Sequence, residues 1–157
     1  DLHPHPLVNL GFGGSSYFWC DYFHPEVFAD LHPGRVILYA GDNDLGSETP
    51  EDEIIKNLTS LISKIKMHHE RTKLTIISVK PSPDRHYLKS NIESLNDRMS
   101  SLMFDYDGDF IDIYHKMLNP DGSYRPELFL EDQLHMNELG YKIWQEEILT
   151  YLDFLES

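Results

Sequence analysis

Arg35-Val36-Ile37-Leu38-Tyr39-Ala40 is apolar on both faces of an extended chain, and an amphipathic helical stripe follows it. A strand without a polar face is one covered by helices on both sides, as in parallel sheets. The stripe holds Ile54, Ile55, Leu58, Leu61, Ile62 and Ile65 at helical period. Thr49-Pro50-Glu51-Asp52 marks its start, with a hydroxyl cap, Pro at the first position and acids in the first turn. Leu74-Thr75-Ile76-Ile77-Ser78-Val79 is the next strand, ended by Pro81 and Pro83. Leu88, Ile92, Leu95, Met99, Leu102 and Met103 mark a second long helix, and Phe110-Ile111-Asp112-Ile113 a last short strand. Asn137 is placed to cap a final helix with Leu139, Ile143, Ile148, Leu152 and Leu155 on its buried side. Near the start, Leu7-Val8-Asn9-Leu10 reads as a short buried strand, followed by a helical stretch broken at Pro25. Strands alternating with helices imply βα units, a parallel sheet and right-handed crossovers.

At 157 residues the expectation is one domain over 1–157. Lys+Arg 13 against Asp+Glu 27 gives a net charge of −14. Such a surface repels phosphate backbones and anionic lipid, so neither nucleic acid nor a membrane is an expected partner. The apolar stretches are far shorter than a membrane span. Cys20 is the one cysteine, which excludes an intrachain disulfide and fits a reducing, cytoplasmic compartment. Asp1-Leu2-His3-Pro4-His5-Pro6 has neither the charged start nor the apolar centre of a signal peptide.

In parallel sheets the chemistry gathers beyond the carboxyl ends of the strands. The Gly11–Ser16 turn, Gly41-Asp42-Asn43-Asp44 and the Pro81–Arg85 loop fall there, and Asp132-Gln133-Leu134-His135 follows the last strand. A carboxylate three residues before an imidazole can fix its tautomer and leave the other nitrogen to take a proton. Gly13 and Gly14 let main-chain N–H groups face a ligand, and the Asn43 amide is a neutral donor suited to a developing oxyanion. These groups serve acyl transfer and lack only a serine.

At this point the chain resembles the SGNH (GDSL-type) hydrolases. Asn9-Leu10-Gly11-Phe12-Gly13-Gly14-Ser15 looks like the family's second block, Gly41-Asp42-Asn43-Asp44 like its third and Asp132-Gln133-Leu134-His135 like its fourth. Tyr39, Asp121-Gly122, Gly140-Tyr141 and Trp144 are similar to a bacterial subgroup of small esterases. The resemblance implies a three-layer α/β/α sandwich around a mostly parallel sheet, flavodoxin-like in order. It also implies a Ser-His-Asp esterase without metal or organic cofactor. His135 would be the base, Asp132 its orienter, and the Gly14 N–H and the Asn43 side chain the oxyanion hole. The first block, which carries the nucleophilic Ser and the first, central strand, has no counterpart here. The expectation is an N-terminally incomplete domain whose Ser lies upstream. The expected substrate is a small-molecule or carbohydrate ester with a short acyl chain, such as an acetylated sugar, since no long apolar lid is visible.

Plainer readings stand beside these. Ser15 and Ser16 follow the second block and suit a pocket or helix-start role. His3, His5, His24, His32, His68, His69, His86 and His115 show no metal spacing and read as surface or loop residues. Asp42 reads as a solvated carboxylate, Asp44 as an acceptor that shapes its loop, and Asp112 as a local acceptor. Tyr17, Phe18 and Trp19 read as core, and Ser82, Asp84 and Arg85 as residues lining the pocket. Two rival functions remain: a non-catalytic binding module on this fold, and a metal-dependent phosphoester hydrolase using Asp42, Asp44, Asp132 and His135.

Overall fold

The structure, a computed structural model, describes residues 2, 5–28 and 30–156; His3 lies outside them. Its sheet is parallel, in the order β1 (Arg35–Leu38), β2 (Lys73–Ile77) and β3 (Asp109–Ile111). Val36 pairs with Leu74 and Ile76 with Phe110, which puts apolar residues side by side on one face. That face is covered by α1 (Tyr17–Phe28), α3 (Glu51–His68) and α4 (Lys89–Asp105). The other face, with Ile37, Ile77 and Ile111, is covered by α5 (Glu138–Glu156). The result is the three-layer α/β/α arrangement.

The stripe on α3 is what seats it. Ile54, Leu58, Leu61, Ile62 and Ile65 are all at most 1% exposed. Each such side chain contributes roughly 1.5–3 kcal/mol on burial. Glu51, Asp52 and Glu53 face the positive end of the helix dipole, and Arg98 of α4 reaches Glu51 and Asp52 at 3.3 and 2.8 Å. Across the sheet, Arg35 Nη1 donates to Thr75 Oγ1 (2.8 Å) and Asp109 Oδ2 (2.9 Å), and the Tyr151 hydroxyl of α5 donates to the same Asp109 oxygen (2.7 Å). One polar knot thus ties α5 to all three strands.

Several expectations are corrected. Leu7–Leu10 is not a strand: Leu7, Val8 and Leu10 are 58%, 65% and 44% exposed. A strand exists only as half of a ladder, and no described strand pairs with this segment. The helix at Pro25 is not broken; α1 runs through it. Proline frees the carbonyl four residues back, here that of Asp21, and Lys64 Nζ takes it at 3.3 Å while holding the Asp21 carboxylate at 2.8 Å. Pro50 is the N-cap of α3 and not its first residue, and Thr49 provides no side-chain cap. On α5, Leu139 and Leu155 are exposed, while Trp144 and Tyr151 pack inward with Ile143, Ile148 and Leu152. Gly140 explains the rotation: a Cβ there would lie 2.6 Å from the Leu128 carbonyl oxygen, so the helix presses its glycine inward and turns Leu139 out. Tyr17 is core, but Phe18 and Trp19 are 48% and 44% exposed and stack in the open with Tyr22 and Phe23. His24 is not a surface residue; it is 3% exposed.

Candidate active site

Each candidate is held by a local device. Gly14 has φ +72°, a conformation that costs a glycine nothing. Ser16 Oγ then accepts the Trp19 N–H at 3.2 Å, which starts α1 and gives this serine a capping role. Gly41-Asp42-Asn43-Asp44 is not a loop: Asp42–Gly46 is a short helix, α2. Gly41 precedes it at φ +106°, where a Cβ would lie 2.8 Å from Val79 Cγ2. Asp44 is 2% exposed and accepts the N–H groups of Tyr17 (3.1 Å) and Gly41 (3.0 Å), as an acceptor that shapes this turn should. Burial pushes its carboxyl pKa up, and those N–H groups oppose the shift. Asn43 Nδ2 donates to the Ser15 carbonyl at 3.0 Å, which joins the Gly14 turn to α2.

The fourth segment is a self-contained device on the exposed rim. Asp132 Oδ2 lies 2.7 Å from His135 Nδ1, and Asp132 Oδ1 accepts the N–H groups of Leu134 and His135, both at 2.9 Å. The Leu134 N–H, the His135 ring and the His135 N–H, in that order, hold the Asp132 carboxyl down to about 2. With Nδ1 engaged by a carboxylate, Nε2 is the nitrogen left to exchange a proton. The loop is closed by Leu130 N–H donating to the His135 carbonyl (2.8 Å), and Asn137 Oδ1 caps α5 through the Leu139 N–H (2.9 Å).

The Pro81–Arg85 loop, expected to line the pocket, joins these pieces. Asp84 N–H donates to the Gln133 carbonyl at 3.1 Å, inside the Asp132–His135 loop. The neighbouring Arg85 Nη1 donates to both the main-chain oxygen and the carboxylate of Asp42, and Lys80 Nζ sits 2.8 Å from that carboxylate. Asp42 is therefore not solvated; its side chain is 13% exposed. Ser82 is fully buried. The described hydrogen bonds thus run from Ser15 to Asn43, through Asp42 to Arg85, and from Asp84 to the His135 loop.

Sequence reasoning missed Lys80 and Asn96. Asn96 of α4 accepts the Val79 N–H at 2.7 Å and donates to the Val79 carbonyl at 3.1 Å, so it replaces a strand partner at the end of β2. Two basic residues flanking Pro81 and Pro83 in an acidic chain were the available signal for Lys80 and Arg85. Asn96 gave none, because its partner is 17 residues away. Tyr39 packs edge-on against Trp144 with ring centroids 4.6 Å apart, and burial drives its phenol pKa well up. No serine hydroxyl among the described residues bonds His135, and among them no three His, Cys, Asp or Glu side chains group as metal ligands. No helix among them is long and apolar enough to cross a membrane.

Residues 1–143 match the GDSL-like Lipase/Acylhydrolase family. The chain belongs to that family. Solved structures of three proteins show the same fold. A GDSL-like lipase from Bacteroides thetaiotaomicron is 24% identical with a TM-score of 0.76, over 90% of this chain and 73% of that one. A family 3 carbohydrate esterase of Clostridium thermocellum is 18% identical with a TM-score of 0.75, over 93% and 69%. The psychrotrophic esterase EstA of a Pseudoalteromonas species is 18% identical with a TM-score of 0.74, over 96% and 79%. No curated protein matches the chain.

Proposed function

We propose that the chain forms the base and oxyanion half of a carboxylic-ester hydrolase, with the nucleophilic serine supplied by residues upstream of Asp1. The observation that carries this reading is the Asp132–His135 pair at 2.7 Å, on a loop bonded through Asp84 and Arg85 to the turn that bears Asn43. A base oriented by a carboxylate, linked through hydrogen-bonded segments to an amide donor and a glycine turn, suits acyl transfer. Family membership and the esterase and lipase neighbours support the same chemistry.

In this mechanism His135 Nε2 takes the serine proton as the oxygen attacks the ester carbonyl. The tetrahedral oxyanion receives hydrogen bonds from the Gly14 N–H and the Asn43 amide. His135 then gives the proton to the leaving alcohol, and the acyl group stays on the serine. Water attacks that ester with His135 again as base, which releases the acid and restores the serine. Asp132 holds the imidazolium that forms twice in the cycle. A short acyl chain, such as an acetyl group on a sugar, is the proposed substrate.

The test is hydrolysis of p-nitrophenyl acetate by this chain and by a version extended with its upstream residues, each with a His135→Ala control. Activity in the extended form alone, lost in His135→Ala, supports the reading. Turnover by residues 1–157 that depends on His135 would place the serine inside the chain and overturn the assignment. Inactivity of both forms on acetyl, butyryl and thioester substrates, with ligand binding retained, would favour a binding module.

A further inference from the structure

We propose that Arg85 is a positioning residue: it sets the Asn43 amide at a fixed spacing from the His135 loop. The inference rests on the esterase reading for its chemical meaning, but the geometry stands without it. Residues Lys80–Arg85 leave β2 as a rigid strut. Pro81 and Pro83 have fixed φ, and the turn is closed by Arg85 N–H to the Ser82 carbonyl and His86 N–H to the Pro83 carbonyl, both 3.2 Å. The strut then reaches in two directions. Asp84 N–H holds the Gln133 carbonyl, between Asp132 and His135. Arg85 holds the Asp42 carbonyl and carboxylate, one residue before Asn43.

Arg85 also grips the far end of α2. Its guanidinium lies against Gly46, where a Cβ would be 2.7 Å from Cζ. A helix of five residues has almost no stability of its own. Its orientation, and with it the direction of the Asn43 amide, is imposed from outside. A planar guanidinium can meet two acceptors and a flat glycine surface together; a lysine ammonium cannot. The cluster is nearly dry, with side-chain exposures of 13% for Arg85, 13% for Asp42 and 8% for Lys80. Removing Arg85 still leaves Asp42 and Lys80 as a neutral pair, so the fold survives its loss better than an unpaired buried charge would allow. What is lost is the aim of Asn43, and misplacement of about 1 Å in such a group lowers rate steeply.

Two measurements test this. The first uses the upstream-extended protein labelled with nitrogen-15, the Asn43 side-chain amide being assigned by its loss in Asn43→Ala. Arg85→Ala and Arg85→Lys should both shift and broaden the Asn43 amide pair, while Tyr151→Phe, far from the rim, should leave it in place. An unmoved Asn43 amide in both Arg85 variants overturns the proposal. The second uses the upstream-extended enzyme. Arg85→Ala should lower kcat about tenfold with KM within about twofold, and in an Asn43→Ala background it should cost less than about twofold more. Fully additive losses would mean that Arg85 does not act through Asn43. If Asn43→Ala alone leaves kcat unchanged, the oxyanion assignment fails, and the resonance measurement still decides the role of Arg85.

Discussion

His115 stands to Asp112 as His135 stands to Asp132. The His115 Nδ1 to Asp112 Oδ2 distance is 2.6 Å, and Asp112 Oδ1 also accepts the His115 N–H at 3.2 Å. Both pairs are i, i+3, both sit beyond the sheet, and both imidazoles are mostly exposed. The difference lies in the surroundings. The Asp132 loop is bonded to the strut that holds Asn43, whereas the His115 carbonyl accepts the Leu118 N–H at 3.3 Å and the His115 ring packs edge-on against Tyr114.

The twin pairs give the first prediction. In the active form His135→Ala should remove hydrolysis by at least about a thousandfold, while His115→Ala should change kcat/KM by less than about twofold. Comparable losses in both variants would show that the assignment of the base is wrong.

Asp132→Asn should be nearly as damaging as loss of the base. An amide can still accept the Leu134 and His135 N–H groups, so the loop keeps its shape. Its NH₂ then faces Nδ1 and favours the wrong tautomer, at a cost of about 10²–10⁴ in kcat. The N–H and imidazole partners hold the Asp132 carboxyl down to about 2, so it stays ionised at pH 5 and activity lost above that pH does not come from its protonation. A kcat within twofold of wild type in Asp132→Asn would rule out the orienting role.

Stability should fall in mild acid because of His24. Its ring is buried between α1 and α3, and its Nε2 has no hydrogen-bond partner among the described residues. Burial is the main cause of its lowered pKa, followed by His68 and Lys64 of α3, with Asp21 opposing and His69 adding slightly. The unfolded chain therefore takes a proton at about pH 6.5 before the folded one does. Stability is flat above that pH and declines as pH falls below it, toward the depressed folded value. Urea midpoints from pH 8 to 5 should drop more steeply for wild type than for His24→Gln. Equal slopes would remove His24 as the cause.

Asn96→Ala should destabilise by roughly 2–4 kcal/mol, since it strips partners from a buried N–H and a buried carbonyl at once. Urea denaturation should show a lower midpoint at unchanged slope. A midpoint within error of wild type would mean that other groups satisfy Val79.

Local patterns were legible in the chain itself. The α3 stripe, the β1 and β2 runs, the Asn137 cap and the Asp132–His135 pair each depend on neighbours within one or two turns, so residue type and spacing decide them. Even the acceptor role of Asp44 could be read, because its own turn demanded one. The long-range partners could not be read. Asp44 holds Tyr17 across 27 residues and Arg85 holds Asp42 across 43, and no period in a sequence encodes such a meeting. The same limit explains the misreadings. Leu7–Leu10 has strand composition but no ladder, Pro25 has breaker chemistry but a lysine to take the carbonyl it frees, and His24 has surface chemistry but a buried place. Sequence alone determined helices α3, α4 and α5, the three strands and the residue types of the candidate site; tertiary contact decided that α1 runs on past Pro25, which polar groups are paired and where Asn43 points, because hydrogen bonds between distant segments exist only once packing has brought them together.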